Sequence, residues 1–293
     1  MFAITVSEFH KGIGLRLLAA FLMTVMSAAV HGAAQHAPVG QIIFWRSALA
    51  LVPIVVYMAW LGDFPQGLRS KRPGLHITRS LLGAFSMAMS FLSLAYLPVA
   101  NAQALAYLAP VLSLPLAALM LGEKLTRAIV LAVGLGFAGV IALLWDALGL
   151  AGDGTLIGIG AGLAYALTMG FVRVHTKRMT VTESSTTIAF YFAVVSAAVG
   201  AASLPFGWAP LSGGTMGWLI LAGLAGGIGH IAANEATARA PVSALAPFDF
   251  TGLVWALGFD VVIFAAVPGP LGLLGALAIT CAAVLVSFRP ARP

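Results

Sequence analysis

Residues 39–61 read VGQIIFWRSALALVPIVVYMAWL, and residues 62–79 continue GDFPQGLRSKRPGLHITR. A helix rises about 1.5 Å per residue and the hydrocarbon core of a bilayer is about 30 Å thick, so roughly 20 apolar residues cross it. The first stretch meets that length with Arg46 as its one charge. The second carries Arg69, Lys71, Arg72 and Arg79 among Gly and Pro, and reads as a cationic turn outside the membrane. Working outward, further apolar stretches predict ten spans in all, at roughly 12–33, 39–61, 77–97, 100–121, 128–147, 155–174, 186–206, 216–237, 243–264 and 270–288. Threading the chain back and forth puts Lys11, Arg16, the 69–79 group, Lys124, Arg127, Arg173, Lys177, Arg178, Arg239, Arg289 and Arg292 on one side. The opposite turns carry no Lys or Arg, and only Arg46 stands apart, inside the second span. Cationic turns stay cytoplasmic, so both termini are expected there.

Composition points the same way. The chain is 61% hydrophobic and 8% charged, with mean hydropathy +1.03, against about 25% charged residues in soluble domains. A pI near 9.9 suits a nucleic-acid partner, but the ordering of the cations along the chain reads as a topology signal instead. Cys281 is the only cysteine, which excludes an intramolecular disulfide and a Cys-based zinc site. The first apolar stretch exceeds a signal peptide in length, Glu8 precedes it, and no clear small-residue cleavage site follows, so it reads as an uncleaved span. The longest turn, from Gly62 to about His76, leaves no room for a soluble domain of useful size.

The chain also repeats itself. Gly14, Ala20, Thr24 and His31 match Gly158, Ala164, Thr168 and His175 at an offset of 144. Gly83, Ala95, Pro98, Val99 and Val111 match Gly226, Ala238, Pro241, Val242 and Val254 at an offset of 143. This divides the protein into five-helix repeats at 1–148 and 149–293. Five is odd, so the second repeat enters the membrane inverted. The charges agree: Glu123-Lys124-Leu125-Thr126-Arg127 answers to Ala266-Val267-Pro268-Gly269-Pro270, which has no cation. The fold class expected is an all-α integral membrane protein, with ten transmembrane helices as two inverted repeats around a central cavity. Such repeats are common in secondary transporters, where the halves exchange conformations.

Arg79-Ser80-Leu81-Leu82-Gly83, Tyr96 through Ala102, Tyr107-Leu108-Ala109-Pro110-Val111 and Leu121-Gly122-Glu123-Lys124 resemble the EamA-type members of the drug/metabolite transporter superfamily. Residues 247–256, Pro247 to Ala256, are similar in the second half. The resemblance covers nearly the whole chain. It implies a cavity lined by helices one, three, four, six, eight and nine, and export of amino acids or drugs, or uptake of vitamins and other metabolites. In length and layout the chain is similar to the aromatic amino-acid exporter subgroup. One departure is Ala266, where family members often carry Glu, which weakens any mechanism built on a symmetric pair of acids.

Ionisable and interrupting residues inside spans nominate the site. Asp249 could bind an amine or a coupling proton, or simply tie one helix to another. Arg46 reads as an outer gate, paired with a substrate carboxylate or Asp260, or as a structural tie. His230 and Asn234, four apart, share a helix face, with Glu235 following. No second ligand stands at metal spacing beside His230, so no metal and no other cofactor is expected. Tyr107, Tyr165, Phe250 and Trp255 are candidate cavity walls. Pro110, Pro115 and Pro247 each lack an N–H and free a carbonyl one turn earlier, which makes them candidate hinges, with Ser113 and Thr251 as nearby partners. Gly134-x-Gly136-x-x-Gly139 matches a dinucleotide fingerprint, but no strand precedes it, and close helix packing is the better reading.

No catalytic residue set is found. The function expected is a secondary carrier exporting amphipathic solutes, most plausibly amino acids, by alternating access. Alternatives of the same fold are multidrug export and vitamin or metabolite uptake; an intramembrane enzyme, a lipid-handling protein and a passive channel are the alternatives from other classes. The partners expected are a small-molecule substrate and the bilayer of the cytoplasmic (inner) membrane, with no nucleic acid, and a monomer suffices.

Overall fold

The computed structural model of the chain describes residues 6–106, 108–147, 154–264, 269–271, 274, 275, 277, 278 and 281. Every regular element among them is helical. The helices are α1 (Val6–Ala34), α2 (Val39–Trp60), α3 (Pro73–Tyr96), α4 (Val99–Ala106), α5 (Leu108–Leu121), α6 (Arg127–Ala147), α7 (Thr155–Met179), α8 (Ser185–Ala201), α9 (Gly213–Arg239), α10 (Val242–Asp249) and α11 (Thr251–Phe264). Seven helical stretches of the described residues are long and apolar enough to cross a membrane: Ser7–Ala34, Val39–Trp60, Pro73–Tyr96, Thr155–Met179, Ser185–Phe206, Gly213–Arg239 and Val242–Ile263. Most of the expected last span, 270–288, lies outside the described residues.

Helix starts follow local chemistry. Ser184 and Ser212 cap α8 and α9, each hydroxyl accepting the N–H three residues on (Thr187 and Thr215, both 3.1 Å). Pro73 occupies the first turn of α3, where its missing N–H costs nothing. Two helix starts are completed from far away in sequence. Glu123 accepts the N–H groups of Val242 (3.1 Å) and Ser243 (3.0 Å) and the Ser243 hydroxyl (2.7 Å), closing the first turn of α10. Glu183 accepts the N–H groups of Lys71 and Arg72 (both 2.9 Å) and the Ser70 hydroxyl (3.2 Å) at the start of α3. Its second oxygen lies 3.3 Å from His76 Nε2. A buried carboxylate holding several donors contributes more than a surface pair. Glu183→Ala should therefore lower stability by about 1.5–3 kcal/mol, read as a drop in unfolding temperature, with Glu183→Gln recovering part of it.

The helices pack as a bundle. α1 lies on α9, α3 on α7 and α8, and α2 on both α8 and α9, while α5 meets α7 and α4 meets α11. Small residues set the distances. A Cβ on Gly200 of α8 would lie 2.5 Å from the Phe44 nitrogen of α2, and one on Gly223 of α9 would lie 2.4 Å from Leu49 Cβ. Inside, Ile42, Phe91, Leu94, Leu219, Phe250 and Leu253 form an apolar core. Outside, Val52, Val56, Ile77, Leu81, Phe85, Leu167 and Ile220 are exposed. That apolar exterior suits lipid and would be costly in water.

The expected span 243–264 corresponds to the apolar stretch Val242–Ile263, and the helix is interrupted inside it. α10 ends at Asp249 and α11 begins at Thr251. Pro247 lacks the N–H that would continue the ladder, and the Thr251 hydroxyl takes up the Phe248 carbonyl at 2.7 Å.

Candidate functional site

A cavity of about 190 Å³ lies inside the bundle, walled by residues of α1, α2, α3, α4, α7, α8, α9 and α10. One water needs about 10–15 Å³, so the space suits a small solute. Its wall is mostly apolar, from Met23, Met87, Phe91, Leu94 and Val172. Against that background the charged groups are conspicuous: Arg16, Arg46, Arg79 and Arg173 face it, with Asp249 as the one carboxylate among the described lining residues.

Asp249 ends α10 and is 6% exposed. Its Oδ1 takes the Arg16 Nε of α1 at 2.5 Å, and its Oδ2 takes Arg173 Nη1 of α7. One carboxylate thus joins three helices, α1, α7 and α10. Each oxygen holds one guanidinium, so Asp249 forms an ionic knot on the cavity wall. Nearby helix ends are tied as well. Lys177 donates to the carbonyls of Thr237 (2.6 Å) and Ala240 (3.0 Å), Arg178 to that of Met120 (2.7 Å), and Arg239 pairs with Glu235 and, at 3.2 Å, with Glu8.

A second group forms around Phe192 of α8. The Arg79 guanidinium carbon stands 4.2 Å from the ring centroid and that of Arg46 5.9 Å. His230 meets the same ring edge-on at 4.8 Å. Arg46 Nε lies 3.3 Å from the Met26 sulfur. The remaining Arg46 nitrogens, and Nε and Nη1 of Arg79, are buried with no hydrogen-bond partner.

Tyr165, His230, Asn234, Asp249 and Arg46 therefore all line one cavity. Asn234 also donates to the Ser185 carbonyl at 3.2 Å. No hydrogen bond joins His230 to Asp249 among the described residues. Arg46 is 1% exposed and lies on the cavity wall. Phe250 is buried in the apolar core instead of facing the cavity. Trp255 is 46% exposed and packs edge-on to Phe21 at 5.0 Å, on the outside. Pro247 is buried within α10, and Pro115 lies on an exposed face of α5. Tyr107 and the side chains of Pro110 and Asp260 lie outside the described residues.

Sequence reasoning passed over Arg16, Arg79, Arg173 and Phe192 as site residues. All three arginines sit in or beside the cationic turns of the sequence. For Arg79 a signal existed: Pro73 marks the start of α3, which places Arg79 almost two turns inside the helix.

Residues 10–145 match the EamA-like transporter family. The pseudopaline exporter of Pseudomonas aeruginosa is 25% identical, over 94% of this chain and 96% of that protein. The S-adenosylmethionine uptake transporter of Rickettsia felis is 26% identical, over 84% and 80%. The riboflavin transporter of Rhizobium johnstonii is 30% identical, over 72% and 68%. One solved crystal structure superposes with a TM-score of 0.77 at 20% identity, over 94% of this chain and 96% of that one, a likeness of fold. With an apolar-skinned helical bundle, an internal cavity that carries a few charged groups and these relatives, the chain belongs to the EamA-like transporter family of the drug/metabolite transporter superfamily.

Proposed function

We propose that the protein is a secondary carrier that moves a small amphipathic metabolite, an amino acid or a close chemical relative, outward across the cytoplasmic membrane by alternating access. The observation that carries this reading is the cavity. It is walled by helices from both parts of the chain, and the Asp249 knot draws three of them together on one side. Ten spans with both termini cytoplasmic, and inverted repeats at 1–148 and 149–293, belong to the same proposal. Helix contacts support it. Advancing each helix to its partner in the other repeat turns α1 on α9 into α7 on α3, and α2 on α9 into α8 on α3. A duplicated five-helix unit produces that exchange.

The knot then works as a latch. With Asp249 holding Arg16 and Arg173, and with Glu123 and Glu183 each capping a helix of the other repeat, the cation-bearing end is closed. Opening it breaks all of these contacts together, which gives two discrete states and not a continuum. The relatives handle pseudopaline, S-adenosylmethionine and riboflavin, so small polar metabolites are the class to try first.

Counterflow tests the proposal. Proteoliposomes loaded with unlabelled phenylalanine should take up labelled phenylalanine saturably, and Tyr165→Ala should weaken the exchange. Absence of exchange with every amino acid, beside exchange of riboflavin or a cationic drug, would transfer the assignment to another solute. Non-saturable flux without counterflow would identify a channel.

A further inference from the structure

We propose that Arg46 and Arg79, arranged about Phe192, form an anion subsite that takes the carboxylate of the transported solute; this rests on the carrier reading above and adds to it the charge that the solute must bear. The argument begins with uncompensated charge. Asp249 is spent on Arg16 and Arg173, which leaves Arg46 and Arg79 facing the same cavity with no carboxylate. They are 1% and 5% exposed. A charge placed within a membrane is costly even on the lenient insertion scale. A desolvated cation–π contact returns only part of that cost, and one ring is shared here between two guanidinium groups. The deficit persists in the empty protein, and an arriving anion removes it.

Shape argues for an oxyanion. A guanidinium presents a planar fork of donors that fits carboxylate or phosphate oxygens two at a time. The partnerless Nη1 and Nη2 of Arg46 are such a fork, and Arg79 adds two further buried donors without a partner, Nε and Nη1. Met87, Phe91 and Leu94 continue the same wall and suit the apolar body behind the carboxylate.

The repeat supplies the room. Gly83 and Gly226 are matched at the 143-residue offset. A Cβ on Gly226 would lie 2.8 Å from Arg46 Nη2 and 2.9 Å from Nε. A Cβ on Gly83 would lie 2.8 Å from Phe192 Cε2 and 3.6 Å from Arg79 Nη1. Each glycine thus leaves space for one side of the subsite.

The test uses the full-length protein in lipid-free detergent micelles. Binding is read as a shift in unfolding temperature against concentration for four probes: 3-phenylpropionate, its neutral amide 3-phenylpropanamide, the cation 3-phenylpropylamine and inorganic phosphate. The propionate should stabilise the protein, and the amide and amine should not. A response to phosphate alone would assign the forks to a phosphate, such as a lipid headgroup, and overturn the solute assignment. Arg46→Gln and Arg79→Gln should each weaken propionate binding about 30-fold, as expected on truncating one partner of a buried charged contact. Gly226→Ala should weaken it too, since the methyl displaces only the mobile end of Arg46 and the Met26 sulfur. The empty glutamine variants should unfold at the same or a higher temperature than the parent, because each loses an uncompensated buried charge. Equal binding of the amide, unchanged binding by the glutamine variants, a lower unfolding temperature in those empty variants, or no response to either anion would each overturn the proposal. Binding that persists in a protein showing no counterflow would instead remove the carrier reading and keep the subsite.

Discussion

Asp249→Ala is expected to abolish counterflow and to destabilise the protein by about 3–5 kcal/mol, the loss typical when one member of a buried ion pair is removed. The substitution removes the carboxylate that Arg16 and Arg173 share from a wall that also holds Arg46 and Arg79, leaving four arginines with no carboxylate among the described lining residues. Asp249→Asn keeps the shape and loses the charge, so it should behave nearly as badly. Arg16→Gln or Arg173→Gln should be milder, because Asp249 keeps one cationic partner in each. Unfolding temperature and initial counterflow rate, taken on the same preparations, provide the check. Wild-type stability and exchange in Asp249→Asn would mean that the knot neither holds the helices nor gates the cavity.

The second large effect is steric. In Gly200→Ala the new methyl carbon sits 2.5 Å from the Phe44 nitrogen, 2.7 Å from its Cα and 3.0 Å from the Gly40 carbonyl oxygen. All three are backbone atoms of α2 and its first turn, so no rotamer change relieves the contact. α2 and α8 must separate, at a cost of about 1–3 kcal/mol or more. Gly160→Ala and Gly217→Ala meet nothing within 4 Å. These should be neutral or gain up to about 1 kcal/mol from the better helix former. The same chemical change is thus expected to take opposite signs at positions that look alike in sequence. Thermal unfolding of the three variants decides it, and equal shifts would show that α2 and α8 are not held at this distance.

The membrane class was legible because crossing a bilayer demands length and apolarity, and stretches such as 39–61 display both. Facing was not. Lipid and protein interior are both apolar, so an aromatic such as Trp255 carries no mark of which side it takes, and here it turned outward. The same ambiguity hid Phe192, one of seventeen phenylalanines. Pro247 announced an interruption, yet the break falls at Phe250, where the Thr251 hydroxyl is placed to take a carbonyl. The arginines were misread for a different reason. A cation near a span boundary serves equally as a turn marker or as an inward wall group, and helix phase decides which. Arg69 and Arg79 belong to one cationic run, but the first is exposed and the second lines the cavity.

The reciprocal caps have a consequence for biogenesis. The carboxylate that finishes the start of α3 belongs to Glu183, over a hundred residues later in the chain. A ribosome therefore releases α3 into the membrane long before its terminating acceptor has been made. Until Glu183 arrives, the amides of Lys71 and Arg72 must be served by water at the bilayer surface. Glu123 is made early and waits for α10 in the same way. A chain interrupted between Glu123 and Glu183 would carry one unfinished helix and one idle acid, a state open to quality-control proteolysis. Supplying the missing part as a separate polypeptide would complete both at once.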